Sequence, residues 1–281
     1  MSEEKLPNRR KRKWLWVLAT LPLVALAVYW LTSPRPDAVR TFELEVAGGK
    51  KCDVTVDCFF PESADHPEPT PTVVLLHGVE GTSYYRRDHL SNARRLADQG
   101  FAVLLVHYFD PLNYKDLVYL KGGELDKTKV EQHIYGDQKS DRELWTKTIA
   151  ASLSWAETQP EVDAERMFLL GYSLGGCLAL SYANECGQNS ENIVPRGVVV
   201  NFGARFLDVS LEGTLPPMQF HHGKEDKVIE VNHLEETVAE LDSIGADTQC
   251  FVYPGQEHII TGEAANLCRT RTFEFLERLS Q

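Results

Sequence analysis

The stretch "MFLLGYSLGGCLALSYA", residues 167–183, decides the fold. A continuous apolar run ends at Gly171, a single hydroxyl stands at Ser173, and two glycines precede a second apolar segment. The five residues G-Y-S-L-G match G-x-S-x-G, the pattern of a serine held on a sharp turn between a strand and a helix. Glycines two residues to either side remove side chains that would clash at such a turn. The sequence therefore predicts a strand, a tight turn that exposes Ser173, and a buried helix.

Short apolar runs recur along the chain and predict a mostly parallel sheet. Continuous runs of Val, Leu and Ile are typical of strands that are buried on both faces. Strands are expected at residues 72–78, 101–108, 167–171, 197–203, 218–223 and 250–255. Between them, "SDRELWTKTIAASLSWAET" and "NHLEETVAELDSIG" have helical periodicity. This alternation predicts an α/β fold whose central sheet is covered by helices on both faces.

The first 31 residues have the composition of a membrane anchor. Residues 1–13 carry six basic and two acidic side chains, and residues 14–31 carry no charge. About 18 apolar residues are the minimum for a membrane-spanning helix, and a basic cluster is expected to stay cytoplasmic. We therefore expect a cytoplasmic segment at 1–13, a transmembrane signal anchor at 14–31 and an extracytoplasmic remainder. The A-x-A pattern at Ala25 and Ala27 leaves open cleavage that would yield a secreted or periplasmic protein.

A linker and a single folded domain are expected after this segment. Residues 32–40, "TSPRPDAVR", should be extended because two prolines oppose a helix. The domain is expected over residues 41–281 and begins with a hairpin around the pair Gly48-Gly49. Residues 109–139 are polar and weakly periodic, and they are expected to form either a solvated loop or a lid over the site.

Composition argues against several classes of function. The net charge of −12 disfavours nucleic acid as a partner, because phosphate binding needs a basic surface. No C-x-x-C spacing occurs, so we expect no structural zinc. No G-x-G-x-x-G follows a strand, which disfavours a dinucleotide-dependent oxidoreductase. We expect no cofactor. Cys177 is expected in the core. The sequence does not decide whether the six cysteines form one or two disulfides, nor does it decide the oligomeric state.

A serine nucleophile needs a general base and an acid that orients the base. In a strand-turn-helix architecture the acid and then the histidine follow the serine, each just past a later strand. "HHGKEDKV" offers Asp226, with Glu225 as the alternative, and "YPGQEH" offers His258. Three other histidines follow Ser173. His221 and His222 lie within a strand, and His233 opens a helix, where it is expected to face solvent. His258 is therefore the expected base and Asp226 the preferred acid.

Backbone donors and substrate contacts are expected near the same turn. The N–H groups of Val79, in "LLHGVEG", and of Leu174 are candidate oxyanion donors. His77 is either a supporting polar group of the site or a structural residue at a strand end. Candidate substrate contacts are Tyr172, Tyr84 and Arg86, although "YYRR" at 84–87 equally suits the start of a solvated helix.

The motifs taken together resemble the α/β-hydrolase superfamily, and specifically the dienelactone hydrolase family. The resemblance runs from "TVVLLHGVEG" through "GYSLGG" and "HGKEDKV" to "YPGQEH", and it covers roughly residues 40–281. It implies a parallel sheet flanked by helices, and an activity toward lactones and esters. It also implies that Ser173, Asp226 and His258 form a catalytic triad, with Val79 and Leu174 as oxyanion donors.

Two positions depart from the family pattern. The best-known members use a cysteine where this chain has Ser173, and they carry a glutamate at the position matched by Gly78. The chain therefore resembles a serine-nucleophile variant of the family, and the two departures disfavour dienelactone as its substrate. We expect a membrane-anchored serine esterase that cleaves small carboxylic esters, lactones or thioesters through an acyl-enzyme. The alternative is a membrane-anchored binding module that keeps the fold without catalysis.

Overall fold

Eight strands form one sheet in the order β1-β2-β4-β3-β5-β6-β7-β8 within the residues that the computed structural model describes. Those residues are 33–62, 69–114, 132, 139–186, 188 and 192–281. The strands are β1 (Ala38–Val46), β2 (Lys50–Phe59), β3 (Thr70–Leu76), β4 (Ala102–Val106), β5 (Val162–Tyr172), β6 (Gly197–Asn201), β7 (Met218–Gly223) and β8 (Thr248–Tyr253). Strand β2 is antiparallel to its neighbours β1 and β4, and the other neighbouring pairs are parallel. The predicted, mostly parallel sheet is confirmed.

Helices cover both faces of this sheet, as predicted. They are α1 (Arg86–Ala97), α2 (Lys139–Ala156), α3 (Leu174–Cys186), α4 (Val231–Ser243) and α5 (Gly262–Ser280). Apolar side chains of α2, α3 and α4 join one hydrophobic cluster, and those of α1 and α5 join a second one. The sheet separates the two clusters.

Strand β3 explains why the apolar runs are continuous rather than alternating. Val74 and Leu76 pack into the first cluster, whereas Val73 and Leu75 pack into the second. All four side chains are fully buried. Because successive side chains point to opposite faces of a strand, a strand covered on both faces needs an apolar residue at every position.

The N-terminal hairpin forms as predicted, but the folded unit begins earlier than residue 41. Strand β1 pairs with β2 from Ala38, which lies opposite Cys58, and the compact unit begins at Pro36. The backbone N–H of Asp37 already donates to the carbonyl of Cys58 at 2.8 Å. The prolines at 34 and 36 precede this pairing, so they restrict only the first half of the stretch 32–40.

Two predictions fall wholly or largely outside the described residues. The expected anchor at 14–31 is one of them, and among the helices that the structure does describe none is long and apolar enough to cross a membrane. The segment 109–139 is described only at its two ends and at residue 132. Its first residue, Phe109, is 2% exposed and belongs to the core. The expectation of a lid over the site is therefore untested.

The cysteines do not form any of the disulfides that the sequence left open. All six carry free thiols in the structure. Cys177 is 1% exposed and lies in the core, as expected. Burial raises the pKa of the Cys177 thiol to about 11, so it stays protonated near neutral pH.

All three histidines that the sequence set aside are buried. His221 Nδ1 lies 2.8 Å from the hydroxyl of Tyr253, and its Nε2 lies 2.8 Å from Oε1 of Gln219. Burial lowers the pKa of His221 to about 3. The expectation that His233 faces solvent is wrong, because it is 6% exposed on the face of α4 that packs inward with Leu234. Burial lowers the pKa of His233 as well.

The buried His221 predicts an acid-sensitive stability. In the unfolded chain its imidazole takes up a proton below pH 6.5, whereas in the native state it does so only near pH 3. Its contribution is therefore fully present above pH 6.5 and decreases as pH falls toward 3, by up to about 1.4 kcal/mol per pH unit. We expect His221→Gln to lose less free energy of unfolding between about pH 7.5 and pH 5 than the wild type. Urea unfolding at both pH values measures this. An equal loss of unfolding free energy in the variant and the wild type would contradict the prediction.

Candidate active site

Ser173 occupies a strained turn between β5 and α3. Its φ of +52° lies in the left-handed region, which residues with a side chain seldom adopt. The turn is closed tightly, because a Cβ added at Gly171 would overlap the backbone of Gly175, and one added at Gly175 would overlap the carbonyl of His77. The Ser173 N–H donates to the carbonyl of Asn201 at 2.8 Å, which ties the turn to the neighbouring strand. The glycine spacing thus serves the steric purpose inferred from the sequence.

The structure brings Ser173, His258 and Asp226 together. Ser173 Oγ lies 2.9 Å from Nε2 of His258, and Nδ1 of His258 lies 2.7 Å from Oδ2 of Asp226. The three residues follow β5, β8 and β7, and the carboxyl ends of these parallel strands lie at one edge of the sheet. Glu225, the alternative acid, is exposed, and its backbone N–H donates to Gln256 instead.

The Asp226 carboxylate is buried and held by four donors. Oδ1 accepts from the N–H groups of Val228 at 2.8 Å and Ile229 at 3.1 Å, while Oδ2 faces His258 and, at 3.2 Å, His222. Burial by itself raises the pKa of Asp226, but the hydrogen bonds from His222 and His258 outweigh it and hold the pKa well below its usual value. The carboxylate is therefore ionised at neutral pH. It orients His258 so that the Nε2 lone pair faces Ser173 Oγ.

His222 is a contact of this carboxylate that the sequence analysis passed over. It is fully buried, and its Nε2 lies 2.7 Å from the carbonyl of Ile229, so Nε2 must carry the hydrogen. Among the described residues its Nδ1 has no hydrogen-bond partner. Its position in the sequence could have indicated this contact. His222 lies near the end of β7, four residues before Asp226, which lies on the turn that follows. From the sequence, each histidine was considered only as a base and never as a donor to the acid.

The two predicted oxyanion donors come from two different segments of the chain near the serine. Leu174 is the first residue of α3, so its N–H has no partner within the helix and lies at the positive end of the helix dipole. Val79 follows β3 and lines the same cavity as Ser173. Both positions suit donors to a negative oxygen formed on a substrate bound at Ser173.

Glu80 shapes the loop that carries Val79. Its Oε1 accepts from the N–H of Gly78 at 3.1 Å and lies 2.9 Å from Nε2 of His89. A Cβ at Gly78 would overlap this carboxylate, so a larger residue at position 78 would displace the Glu80 side chain. A glutamate carboxylate is therefore present beside Gly78, supplied from two residues further along the chain. Glu80 was not among the residues expected at the site from the sequence.

His77 has a structural role next to this loop. Its ring stacks on Tyr108 at 4.1 Å between centroids, and Nδ1 lies 2.8 Å from the carbonyl of Gly78. Burial lowers the pKa of His77 well below its usual value, so the ring is neutral. Of the two alternatives left open, the structural one agrees with this packing.

A cleft of about 1400 Å³ opens at Ser173 and His258. Tyr172 lines it as predicted, and its hydroxyl accepts from Nδ2 of Asn92 at 3.1 Å. Tyr84 and Arg86 were expected there as well, but neither is among the residues that line the cleft. Tyr84 is 53% exposed outside the lining.

Arg86 forms an ion pair with a buried carboxylate and is not among the residues that line the cleft. Its guanidinium lies 2.9 Å from Oδ2 of Asp57, whose side chain is 1% exposed. Helix α1 begins at Arg86, so the alternative of a helix start for "YYRR" agrees with the structure. Tyr85, the residue between the two predicted contacts, lines the cleft instead.

The chain matches a known protein family over most of its length. A model of the dienelactone hydrolase family matches residues 58–267, well over half of the chain. The chain belongs to the dienelactone hydrolase family. This family member is therefore a hydrolase of the class that acts on ester or lactone bonds, and the reading as a non-catalytic module is disfavoured.

Individual relatives of this family member are distant. A probable 2-oxo-3-(5-oxofuran-2-ylidene)propanoate lactonase from a Bradyrhizobium species is 24% identical over 204 residues, which cover 67% of this chain and 72% of that protein. A dienelactone hydrolase-like promiscuous phosphotriesterase from metagenomic libraries superposes with a TM-score of 0.64 at 18% identity, covering 87% of this chain and 99% of the other. Dienelactone hydrolase from Anabaena variabilis gives 0.57 at 17% identity, covering 86% and 99%. These two structures share the α/β-hydrolase fold with this chain.

The contacts of His222 predict that it positions Asp226. A hydrogen bond to a charged group contributes about 1.5–3 kcal/mol, so we expect His222→Leu to lower kcat on p-nitrophenyl acetate about 10- to 100-fold with little change in KM. His222→Gln keeps a side-chain N–H donor and should recover part of the loss. Steady-state kinetics of the two folded variants measures this. Equal kcat values for them would indicate that His222 contributes packing only.

Proposed function

We propose that this protein cleaves carboxylic esters, lactones or thioesters through a triad of Ser173, His258 and Asp226 and an acyl-enzyme intermediate. The supporting observation is the continuous chain of hydrogen bonds from Ser173 Oγ to His258, at 2.9 Å, and from His258 to Asp226, at 2.7 Å. Nucleophile, base and orienting acid are thus within hydrogen-bonding distance before substrate arrives.

In the first half of the proposed reaction, Ser173 Oγ attacks the carbonyl carbon of the substrate while His258 Nε2 takes the hydroxyl proton. The carbonyl oxygen becomes an oxyanion that accepts hydrogen bonds from the N–H groups of Val79 and Leu174. Collapse of this intermediate breaks the bond to the leaving oxygen or sulfur, which receives the proton from His258. The acyl group is then esterified to Ser173, and in a lactone the leaving group stays attached to it.

In the second half, a water molecule replaces the leaving group as the partner of His258. His258 Nε2 removes one proton from the water, and the resulting hydroxide attacks the acyl carbon. Ser173 Oγ leaves with that proton, and the carboxylic acid product is released. The ionised Asp226 stabilises the imidazolium in both halves and keeps its proton at Nδ1.

Labelling with a fluorophosphonate probe tests this proposal. We expect the wild-type fragment 33–281 to label and Ser173→Ala not to label, because a serine reacts only when a base activates it. Ser173→Ala should also lower kcat by about 10³- to 10⁶-fold, and Asp226→Asn by about 10⁴-fold.

Glu225→Gln is the matched control, since it neutralises a neighbouring carboxylate that is exposed and is not part of the proposed triad. Its kcat should stay within about twofold of the wild type, as for surface substitutions generally. Wild-type protein that is folded but neither labels nor hydrolyses esters would overturn the proposed triad. So would equal losses in Asp226→Asn and Glu225→Gln.

We also propose that residues 14–31 anchor the chain in a membrane with the hydrolase domain outside the cytoplasm. Support comes from the sequence, where six basic side chains precede eighteen residues without charge. We expect the full chain to stay in the membrane pellet after alkaline carbonate extraction, and its domain to be digested by protease added from the extracytoplasmic side. A chain that lacks residues 1–31 serves as the soluble control. Extraction of the full chain into the supernatant would contradict an uncleaved anchor.

A further inference from the structure

The cleft at Ser173 extends far beyond the triad, between α1 and α5. Its volume of about 1400 Å³ exceeds the roughly 300–1,000 Å³ of ordinary small-molecule sites. Helices form its two walls. The lining residues include two sets that are three or four positions apart: Tyr85, Asp88, Asn92, Arg95 and Gln99 on the α1 side, and Gly262, Ala265, Arg269 and Phe273 on α5. Residues at this spacing lie along one side of a helix. The cleft therefore follows the axes of both helices.

The course of the two helices sets the length of the cleft. Helix α1 follows the loop of Val79, and α5 follows the loop of His258, so both begin at the catalytic end. The lining continues on α5 from Gly262 to Phe273. At 1.5 Å per residue this distance is about 17 Å. An extended alkyl chain, with C–C bonds of about 1.5 Å and a smaller advance per bond, spans it with roughly a dozen carbon atoms.

The floor of the cleft is apolar. Leu170 and Tyr172 point to the same side of β5, because they are two residues apart on a strand, and both line the cleft. Leu96 and the half-buried Phe273 complete the floor further from Ser173. The rims are polar, and at Arg95 and Arg269 long aliphatic stems end in charged groups. An apolar floor between polar rims suits a narrow aliphatic chain more than a compact polar lactone.

We propose that this cleft binds an extended aliphatic chain, of roughly eight to twelve carbon atoms, on the acyl or the alcohol side of the ester or thioester whose carbonyl Ser173 attacks. The inference rests on the proposed function, because the cleft gives chain-length preference only if Ser173 is the nucleophile. Each methylene group that leaves water for the floor contributes up to about 0.8 kcal/mol, which is at most about a fourfold gain per carbon. The cleft is open along one side, so we expect about a twofold gain per carbon.

Chain-length series on the fragment 33–281 test the inference, with every substrate below its critical micelle concentration. p-Nitrophenyl esters from acetate to dodecanoate vary the acyl side, and alkyl acetates from ethyl to dodecyl vary the alcohol side. We expect kcat/KM to rise in one series up to about eight to twelve carbons and then to level off. A flat profile in both series would overturn the inference.

Two tryptophan variants on α5 locate the effect. Thr270 is exposed and lines the cleft, whereas Leu267 is 45% exposed on the same helix outside the lining. We expect Thr270→Trp to obstruct the cleft. It should lower kcat/KM about tenfold for the ten-carbon substrate of the responsive series and leave kcat/KM for p-nitrophenyl acetate unchanged. Leu267→Trp should affect neither. Equal effects of the two variants would overturn the inference.

The outcomes separate this inference from the proposed function. Turnover of acetate and labelling of Ser173, without dependence on chain length, would overturn the aliphatic cleft alone. Absence of both turnover and labelling in folded protein would overturn the triad and the cleft together.

Discussion

The left-handed backbone at Ser173 is the constraint on which the site depends. A non-glycine residue in this region costs about 1–2 kcal/mol, and the surrounding packing must supply that energy. Gly171 and Gly175 let β5 and α3 approach closely, and the Ser173 N–H continues the sheet ladder by donating to Asn201. The same backbone geometry makes Leu174 the first residue of a helix. One strained turn thus presents the hydroxyl and places beside it an N–H that has no partner within the helix.

The neighbouring strand repeats this arrangement at Phe202. Its φ is also +52°, and its N–H donates to the carbonyl of His221 at 2.8 Å. The Phe202 ring lies 5.7 Å from that of His258 with an edge-on orientation, and it also contacts Tyr172. A bulky residue in this conformation costs on the order of 1–3 kcal/mol and marks functional sites in many proteins. Here it encloses the base on the side of the cleft.

Electrostatics at the site follow from where charges are buried. The ionised Asp226 is tolerated because four donors surround it, and two of them are imidazoles. Glu80 is held in the same way by Gly78 and His89. Replacement of the family's glutamate at position 78 by glycine therefore does not leave the loop without a carboxylate. It moves the charge by two residues and fills the space that a side chain at Gly78 would need.

The sequence alone determined the features that depend on local periodicity and local sterics. Apolar runs predicted β3 to β8 in their order, helical spacing predicted α2 and α4, and the glycines around Ser173 predicted the turn. Tertiary structure decided which side chains meet across strands that are far apart in the chain. It placed Asp226 rather than Glu225 against His258, turned Arg86 onto Asp57, and brought His222 to the acid. These choices depend on the relative orientation of loops at one sheet edge, which no local pattern encodes. The cleft arises for the same reason, since only the packed sheet sets the distance between α1 and α5.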